Sequence, residues 1–132
     1  MQIGEVAERA GLSLRTVRYY EEMGLVSPET RTEGGFRLYT DAQVDRLLLI
    51  KRMKPLGFTV QEMRELLDAR EALRDERAGA RALADARELL GQYTRAAAER
   101  CEKLRSQVES ADELVRQLKR ESRPPRRSSA RA

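Results

Sequence analysis

The first hydrophobic pattern of the chain predicts two short helices joined by a tight turn. Apolar residues recur at helical spacing over the first ten positions, at Ile3, Val6, Ala7 and Ala10. Gly11 follows where a left-handed residue can end a helix, and Ser13 is a favoured cap for the next one. A helix-turn-helix of this kind can present the outer face of its second helix to a DNA major groove. The residues on that face are Arg15, Thr16, Arg18, Tyr19 and Tyr20.

An alternating pattern after a glycine pair predicts a β-hairpin over residues 30–40. In the return strand, alternation places Arg37 and Tyr39 on one side and Phe36 and Leu38 on the other. We expect Phe36 and Leu38 to pack against the body of the domain while Arg37 and Tyr39 meet phosphate. A position at the edge of the core is the alternative for Tyr39.

Two capping sequences predict two further helices. Thr40-Asp41-Ala42-Gln43 is a capping box, and the helix it opens runs to the break at Pro55-Leu56-Gly57. Thr59-Val60-Gln61-Glu62 is a second capping box. The helix that follows places Met63, Leu66 and Leu67 on one face, which closes a small core of about four helices.

A heptad pattern in the second half of the chain predicts one long amphipathic helix over residues 83–118. Its apolar seam is narrow and is flanked by charged and amide side chains, which favours a two-stranded coiled coil over burial on a globular domain. Nothing in the first domain is expected to cover it. The seam positions assigned to dimerisation are Leu83, Leu90, Ala97, Cys101, Leu104, Val108, Ala111, Val115 and Leu118, and Ala86 and Tyr93 follow the same spacing.

These elements predict an all-α fold with a small β-hairpin wing, organised in four parts. Residues 1–70 form a winged helix-turn-helix domain, and residues 71–82 form a connector that is either a helical extension or a hinge broken at Gly79. Residues 83–118 form the dimerisation helix. Residues 119–132 are expected to be a disordered basic tail, because they combine six basic residues with one acidic residue and a proline pair.

Composition narrows the range of functions. The formal net charge is +4, but most of the excess lies in the tail, so the first domain must bind nucleic acid through the placement of its cations. Tail arginines that touch DNA or a partner are one interpretation, and a solubilising end without specific role is the other. The sequence shows no membrane-spanning run and no signal peptide, so we expect a cytoplasmic, nucleoid-associated protein.

Enzymatic and metal-binding functions find little support in the side chains available. The chain has one cysteine and no histidine, which excludes an intramolecular disulfide and leaves few soft metal ligands. There is no glycine-rich phosphate loop beyond the hairpin turn, and the carboxylates lie mostly on solvated helix faces. We therefore expect a protein without enzymatic activity or cofactor.

Three segments in series resemble the DNA-binding domain of the MerR family of bacterial transcription regulators. They are RTVRYYEEMGLV, GGFRLYT and LGFTVQEMRELL. The resemblance implies a dimer that binds double-stranded DNA, with RNA polymerase at the promoter as a further partner, and it implies antiparallel pairing of the long helices. The DNA contacts that it implies are Arg15, Thr16, Arg18, Tyr19 and Tyr20 on the helix, Arg37 and Tyr39 on the wing, and Lys54 before the fourth helix.

Within that set, position suggests different roles. Arg15 and Thr16 lie near the helix N-terminus and are the better candidates for base edges, whereas Arg18, Tyr20, Arg37 and Lys54 suit phosphate. We expect a sequence-specific, homodimeric transcription regulator, and the resemblance implies that it binds a pseudo-palindromic promoter and acts by distorting the duplex. The alternative is an architectural or chromosome-anchoring protein whose coil recruits a partner.

The chain departs from the sensing members of that family. Leu83 stands where metal- and redox-sensing members have a cysteine, and no cysteine or histidine follows Leu118. Drug-sensing members carry a large C-terminal ligand-binding domain. We therefore expect a minimal member with an unknown effector. For Cys101, a buried apolar role in the seam and a thiol switch remain open.

Overall fold

The computed structural model describes residues 1–28 and 30–125. Five α-helices and one two-stranded antiparallel hairpin make up the described fold, which confirms the predicted fold class. In chain order the elements are α1 (Ile3–Ala10), α2 (Leu14–Glu22), β1 (Thr30–Arg31), β2 (Arg37–Leu38), α3 (Asp41–Met53), a 3-10 helix (Lys54–Leu56), α4 (Val60–Arg74) and α5 (Ala80–Glu121). Residues 1–95 form one compact unit, and the remainder of the chain forms a second.

The turn between α1 and α2 is built as its sequence predicts. Gly11 has φ 66° and ends α1 in the left-handed conformation, and the Leu12 amide donates to the Ala7 carbonyl at 2.9 Å. Ser13 then caps α2, because its Oγ accepts from the Thr16 amide at 3.0 Å. This short connection sets α2 directly against α1.

Only one of the two predicted capping boxes forms. At α4, Thr59 and Glu62 exchange both reciprocal hydrogen bonds. At α3, Thr40 makes no side-chain cap, and the expectation of a capping box there is wrong. Gln43, the residue that would complete the box, instead accepts from the Ser27 amide at 3.2 Å, and Thr40 Oγ1 is buried without a partner among the described residues.

The core of the first unit lies between α1, α2, α3 and α4. Its most deeply buried side chains are Val6, Val17, Leu25, Leu47, Ile50 and Leu67. Two cations from the later helices bind the C-terminal ends of the earlier ones: Lys51 Nζ donates to the Ala10 carbonyl at 3.2 Å, and Arg64 donates to the Met23 carbonyl. Since free carbonyls at a helix end attract cations, these contacts help to fix α1 and α2 on α3 and α4.

The beginning of α5 belongs to the first unit. Ala86 and Tyr93 are buried, the Tyr93 ring packs on Phe58 with centroids 5.9 Å apart, and its hydroxyl donates to Glu65 at 2.5 Å. The expectation that nothing in the first domain covers the heptad seam is therefore wrong for this part of the seam. Tyr93 matches the heptad spacing, but residues of the same chain bury its side chain, so it needs no second copy to cover it.

The second unit is the remainder of α5. The seam is exposed in the single chain at Leu104, Val108, Ala111, Val115 and Leu118, whereas Ala97 and Cys101 are partly covered. The helix continues to Glu121, so the first three residues of the predicted tail are helical. Residues 126–132, which are half of that tail, lie outside the described residues. Among the described helices, none is long and apolar enough to cross a membrane.

Candidate nucleic-acid interface

The outer face of α2 presents a basic surface. Arg15 and Arg18 are exposed, Tyr19 is 46% exposed, and the three line one shallow groove together with Glu22. Neither arginine forms an ion pair with a described residue, so both charges remain available to an anionic partner. Thr16 is half-buried, and its hydroxyl lies 2.8 Å from the Ser13 hydroxyl at the start of the helix.

Tyr20 is part of the core and not of this surface. It is 3% exposed and lies three residues after the fully buried Val17, which places both on the inward face of α2. Its ring contacts the Tyr19 ring at a centroid distance of 5.5 Å. The phosphate contact suggested for Tyr20 is corrected accordingly: the helical period turns this ring inward.

The wing, which we define as residues 30–38, has the predicted hairpin, but Phe36 and Tyr39 are not placed as expected. Thr30 pairs with Leu38, and the Thr32 amide donates to the Phe36 carbonyl at 2.8 Å. Phe36 is 62% exposed and Leu38 is half-buried, so the expected inward packing of Phe36 is wrong. Tyr39 is buried, whereas Arg37 is exposed but is held against α2 by an ion pair.

Glu21 binds both Arg37 and Tyr39. Its Oε1 lies 2.6 Å from Arg37 Nη1, and its Oε2 accepts a hydrogen bond from the Tyr39 hydroxyl. Tyr39 is 2% exposed and exchanges backbone hydrogen bonds with Met1, so the alternative position at the edge of the core holds for this residue. Burial, reinforced by the Glu21 carboxylate, raises the pKa of the Tyr39 hydroxyl to about 12.

A second groove joins α2 to the wing. We call it the helix–wing groove; its volume is about 450 Å³ and its lining residues are Gln2, Ile3, Arg18, Glu21, Glu22, Gly35, Phe36 and Arg37. Arg18 lines both grooves, so the structure brings Arg15, Arg18, Tyr19 and Arg37 to adjoining surfaces. Lys54 is exposed at the start of the 3-10 helix and lines neither groove.

Two residues of this surface were not predicted from the sequence. Phe36 was assigned to the core, and Glu21 was given no role. A signal for Glu21 was present, because it follows Val17 by four residues and therefore shares its helix face. Within residues 1–28 and 30–125, no group of three or more histidine, cysteine, aspartate or glutamate side chains could hold a metal ion.

Comparison with known families decides the class of this fold. The family model described as MerR HTH family regulatory protein matches residues 1–70, and that described as MerR, DNA binding matches residues 44–120. The chain belongs to the MerR family. The matched segments include α2, the wing and most of α5.

Individual relatives agree with this assignment. The mercuric resistance operon regulatory protein of Bacillus cereus is 50% identical over 66 residues, which are 50% of this chain and 50% of that protein, so the chain spans about half the length of this relative. The transcription regulator PbrR691 from Ralstonia metallidurans CH34, solved with lead(II), is 31% identical, with TM-score 0.52 and coverage of 100% of this chain and 94% of that one. HiNmlR, a MerR family regulator lacking the sensor domain, was solved bound to promoter DNA; at 19% identity, TM-score 0.68 and 90% coverage of both chains, it shares the fold.

Proposed function

We propose that this MerR-family protein is a transcription regulator that binds pseudo-palindromic promoter DNA as a homodimer and acts by distorting the duplex. The observation that carries the proposal is that Arg18 lines two adjoining grooves, one along α2 that also holds Arg15 and one between α2 and the wing that also holds Arg37. A helix that lies in a major groove while a wing reaches the adjacent backbone needs cations at both places. The relatives named as regulators support the same function.

Separate roles follow from position on this surface. Arg15 lies in the first turn of α2, exposed and unpaired among the described residues, where a guanidinium can reach a base edge. Arg18 and Arg37 line the helix–wing groove and suit phosphate oxygens. Tyr19 is the exposed aromatic beside them, and Thr16 and Lys54 complete the proposed set of contacts.

The homodimer is supported by the exposed seam of the second unit. Leu104, Val108, Val115 and Leu118 are between 39% and 58% exposed in the single chain and recur at heptad spacing. A stripe of large apolar side chains on a helix with charged flanks is stabilised by pairing with a second copy. Two copies would supply two α2 helices, which suits a pseudo-palindromic site. RNA polymerase at the promoter is the further partner in this proposal.

Three alanine variants test the DNA contacts. We expect Arg18→Ala and Arg37→Ala each to weaken binding to specific and random duplexes alike and to lower the salt dependence by about one counterion equivalent. Arg15→Ala is expected to cost mainly specificity, about 1 to 3 kcal/mol at one base pair. The measurement is a fluorescence-anisotropy titration of labelled duplexes across a salt series.

Arg87→Ala is the matched control, because Arg87 is exposed on α5, lines neither groove and carries the same charge. An Arg37→Ala protein with the affinity and salt slope of the Arg87→Ala protein would contradict the role of the wing. Genome-wide binding distinguishes the architectural alternative, for which we would expect many dispersed sites in place of a few promoter-centred ones.

A further inference from the structure

We propose that Glu21 is a positioning residue, which holds the guanidinium of Arg37 in the orientation that lets the wing bind a DNA phosphate. This inference rests on the proposed function, because it takes Arg37 to be a phosphate contact. Glu21 itself does not touch DNA in this proposal. It acts through Arg37.

The geometry shows one carboxylate joining two elements. Glu21 lies in the last turn of α2, and its two oxygens are occupied by donors from the wing strand and the residue that follows it, Arg37 and Tyr39. These two donors are two positions apart, so a strand presents both to the same side. The carboxylate therefore ties the end of α2 to the wing at the edge of the helix–wing groove.

The two partners of the Glu21–Arg37 ion pair differ in burial. The side chain of Glu21 is 15% exposed, whereas that of Arg37 is 42% exposed. A guanidinium has five N–H donors in a planar fork, so a contact through Nη1 leaves others free for a phosphate oxygen. Arg37 is thus anchored on its shielded side and open toward the groove that Arg18 also lines. An anchored side chain loses less conformational entropy when it binds.

The charge of Glu21 and its proposed positioning role predict opposite effects on DNA binding. A carboxylate beside a phosphate site repels the DNA, so its removal by simple electrostatics should strengthen binding. Positioning predicts that its removal weakens binding. The sign of the change in affinity therefore separates the two roles.

The next residue of the chain offers a matched control. Glu22 lines the same groove and is exposed, and it makes no hydrogen bond or ion pair with a described residue. Glu22→Gln removes the same charge from almost the same place without disturbing Arg37. Glu21→Gln replaces one carboxylate oxygen with an NH2 group that only donates, so one of the two acceptor atoms now used by Arg37 and Tyr39 is lost.

The experiment measures the affinity of the full chain for one fixed duplex of arbitrary sequence, because a phosphate contact acts on any sequence. E21Q and E22Q are each made in the wild-type and R37A backgrounds. We expect E21Q to weaken binding roughly threefold to tenfold, as for the loss of one hydrogen bond. E22Q should bind equally well or up to about threefold more tightly. In the R37A background, E21Q should no longer weaken binding.

Two results would overturn the inference while leaving the proposed function intact: an E21Q protein that binds as tightly as E22Q, or an E21Q effect that persists without Arg37. Failure of the wild type to bind the duplex at low salt would remove the proposed function and this inference with it. If E21Q does not unfold cooperatively, Glu21→Asp replaces it. It keeps the charge but shortens the reach, and the same dependence on Arg37 is expected.

Discussion

The buried hydroxyl of Tyr39 makes the stability of the domain depend on pH. An unfolded tyrosine loses its proton near pH 10, whereas in the folded chain burial and the Glu21 carboxylate raise the pKa of Tyr39 to about 12. The folded state therefore holds this proton more tightly. Its stabilisation is complete below pH 10 and is lost as the pH rises toward 12.

Tyr39→Phe tests this linkage. We expect the wild type to be more stable than the variant below pH 10, and the difference in unfolding free energy to fall by about 2 to 3 kcal/mol between pH 10 and pH 12. Urea unfolding followed by circular dichroism measures both proteins at each pH. Tyr19→Phe, which removes the hydroxyl of an exposed tyrosine, is the control and should follow the wild-type curve. A constant gap between wild type and Tyr39→Phe would contradict the linkage.

At the level of single residues, the sequence predicted correctly which side chains lie on the same face of the wing strand. It did not predict which residues pack against the domain. Strand alternation correctly grouped Arg37 with Tyr39, since both reach Glu21. Phe36 was assigned inward because it is apolar, yet a short wing has only one side against the domain. That side is occupied by a carboxylate that binds two polar donors. Glu21 and Tyr39 lie 18 positions apart in the sequence, so the pattern of neighbouring residues does not predict their contact.

At the level of elements, two capping-box sequences, one ending in Gln43 and one in Glu62, led to different outcomes. Thr59 and Glu62 form their box, whereas Thr40 does not, because Gln43 contacts the Ser27 amide in the loop before the wing. The starts of α3 and α4 agree with the sequence prediction, but the hydrogen bonds at each start depend on tertiary neighbours. The turn after α1, where Gly11 and Ser13 act locally, needed no such neighbours.

Two valine substitutions, one at each helix start, measure how much the threonine hydroxyl contributes to stability at α4 and at α3. Thr59→Val removes a formed cap and should lower the unfolding free energy by about 0.5 to 2 kcal/mol. Thr40→Val replaces a buried hydroxyl that has no described partner and should be neutral or slightly stabilising. Thermal and urea unfolding of the two variants gives the comparison. Equal losses in both variants would mean that Thr40 does cap α3 in solution.

At the level of the whole molecule, the exposed seam predicts that assembly depends on residues 96–118. Leu104→Asp would place a charge in the paired seam, where burial without a partner costs several kcal/mol, and we expect a monomer that binds DNA poorly. Ser110→Asp adds the same charge to the same helix off the seam and is the control. Analytical ultracentrifugation compares the two. A Leu104→Asp protein that still sediments as a dimer would contradict pairing through this seam.

The division of α5 between two units predicts where the chain can be shortened. A chain ending at Arg95 keeps Tyr93 on Phe58 and Glu65, so we expect it to fold cooperatively and to be monomeric, since the exposed seam is removed. A chain ending at Arg74 loses that cover. Because truncating a buried aromatic costs about 3 to 5 kcal/mol, it should be markedly less stable than the longer fragment.

Tyr93→Ala in the full chain separates folding from assembly. This substitution should lower the unfolding free energy by about as much as the removal of the start of α5. It leaves residues 96–118 unchanged, so the folded protein should still dimerise. Sedimentation and urea unfolding of the two fragments and this variant test both parts. If the fragment ending at Arg95 dimerises as well as the full chain, the first unit carries the dimer contact and the exposed part of the seam in residues 96–118 does not. If the fragment ending at Arg74 is as stable as the longer one, the start of α5 contributes nothing to the fold of the DNA-binding domain.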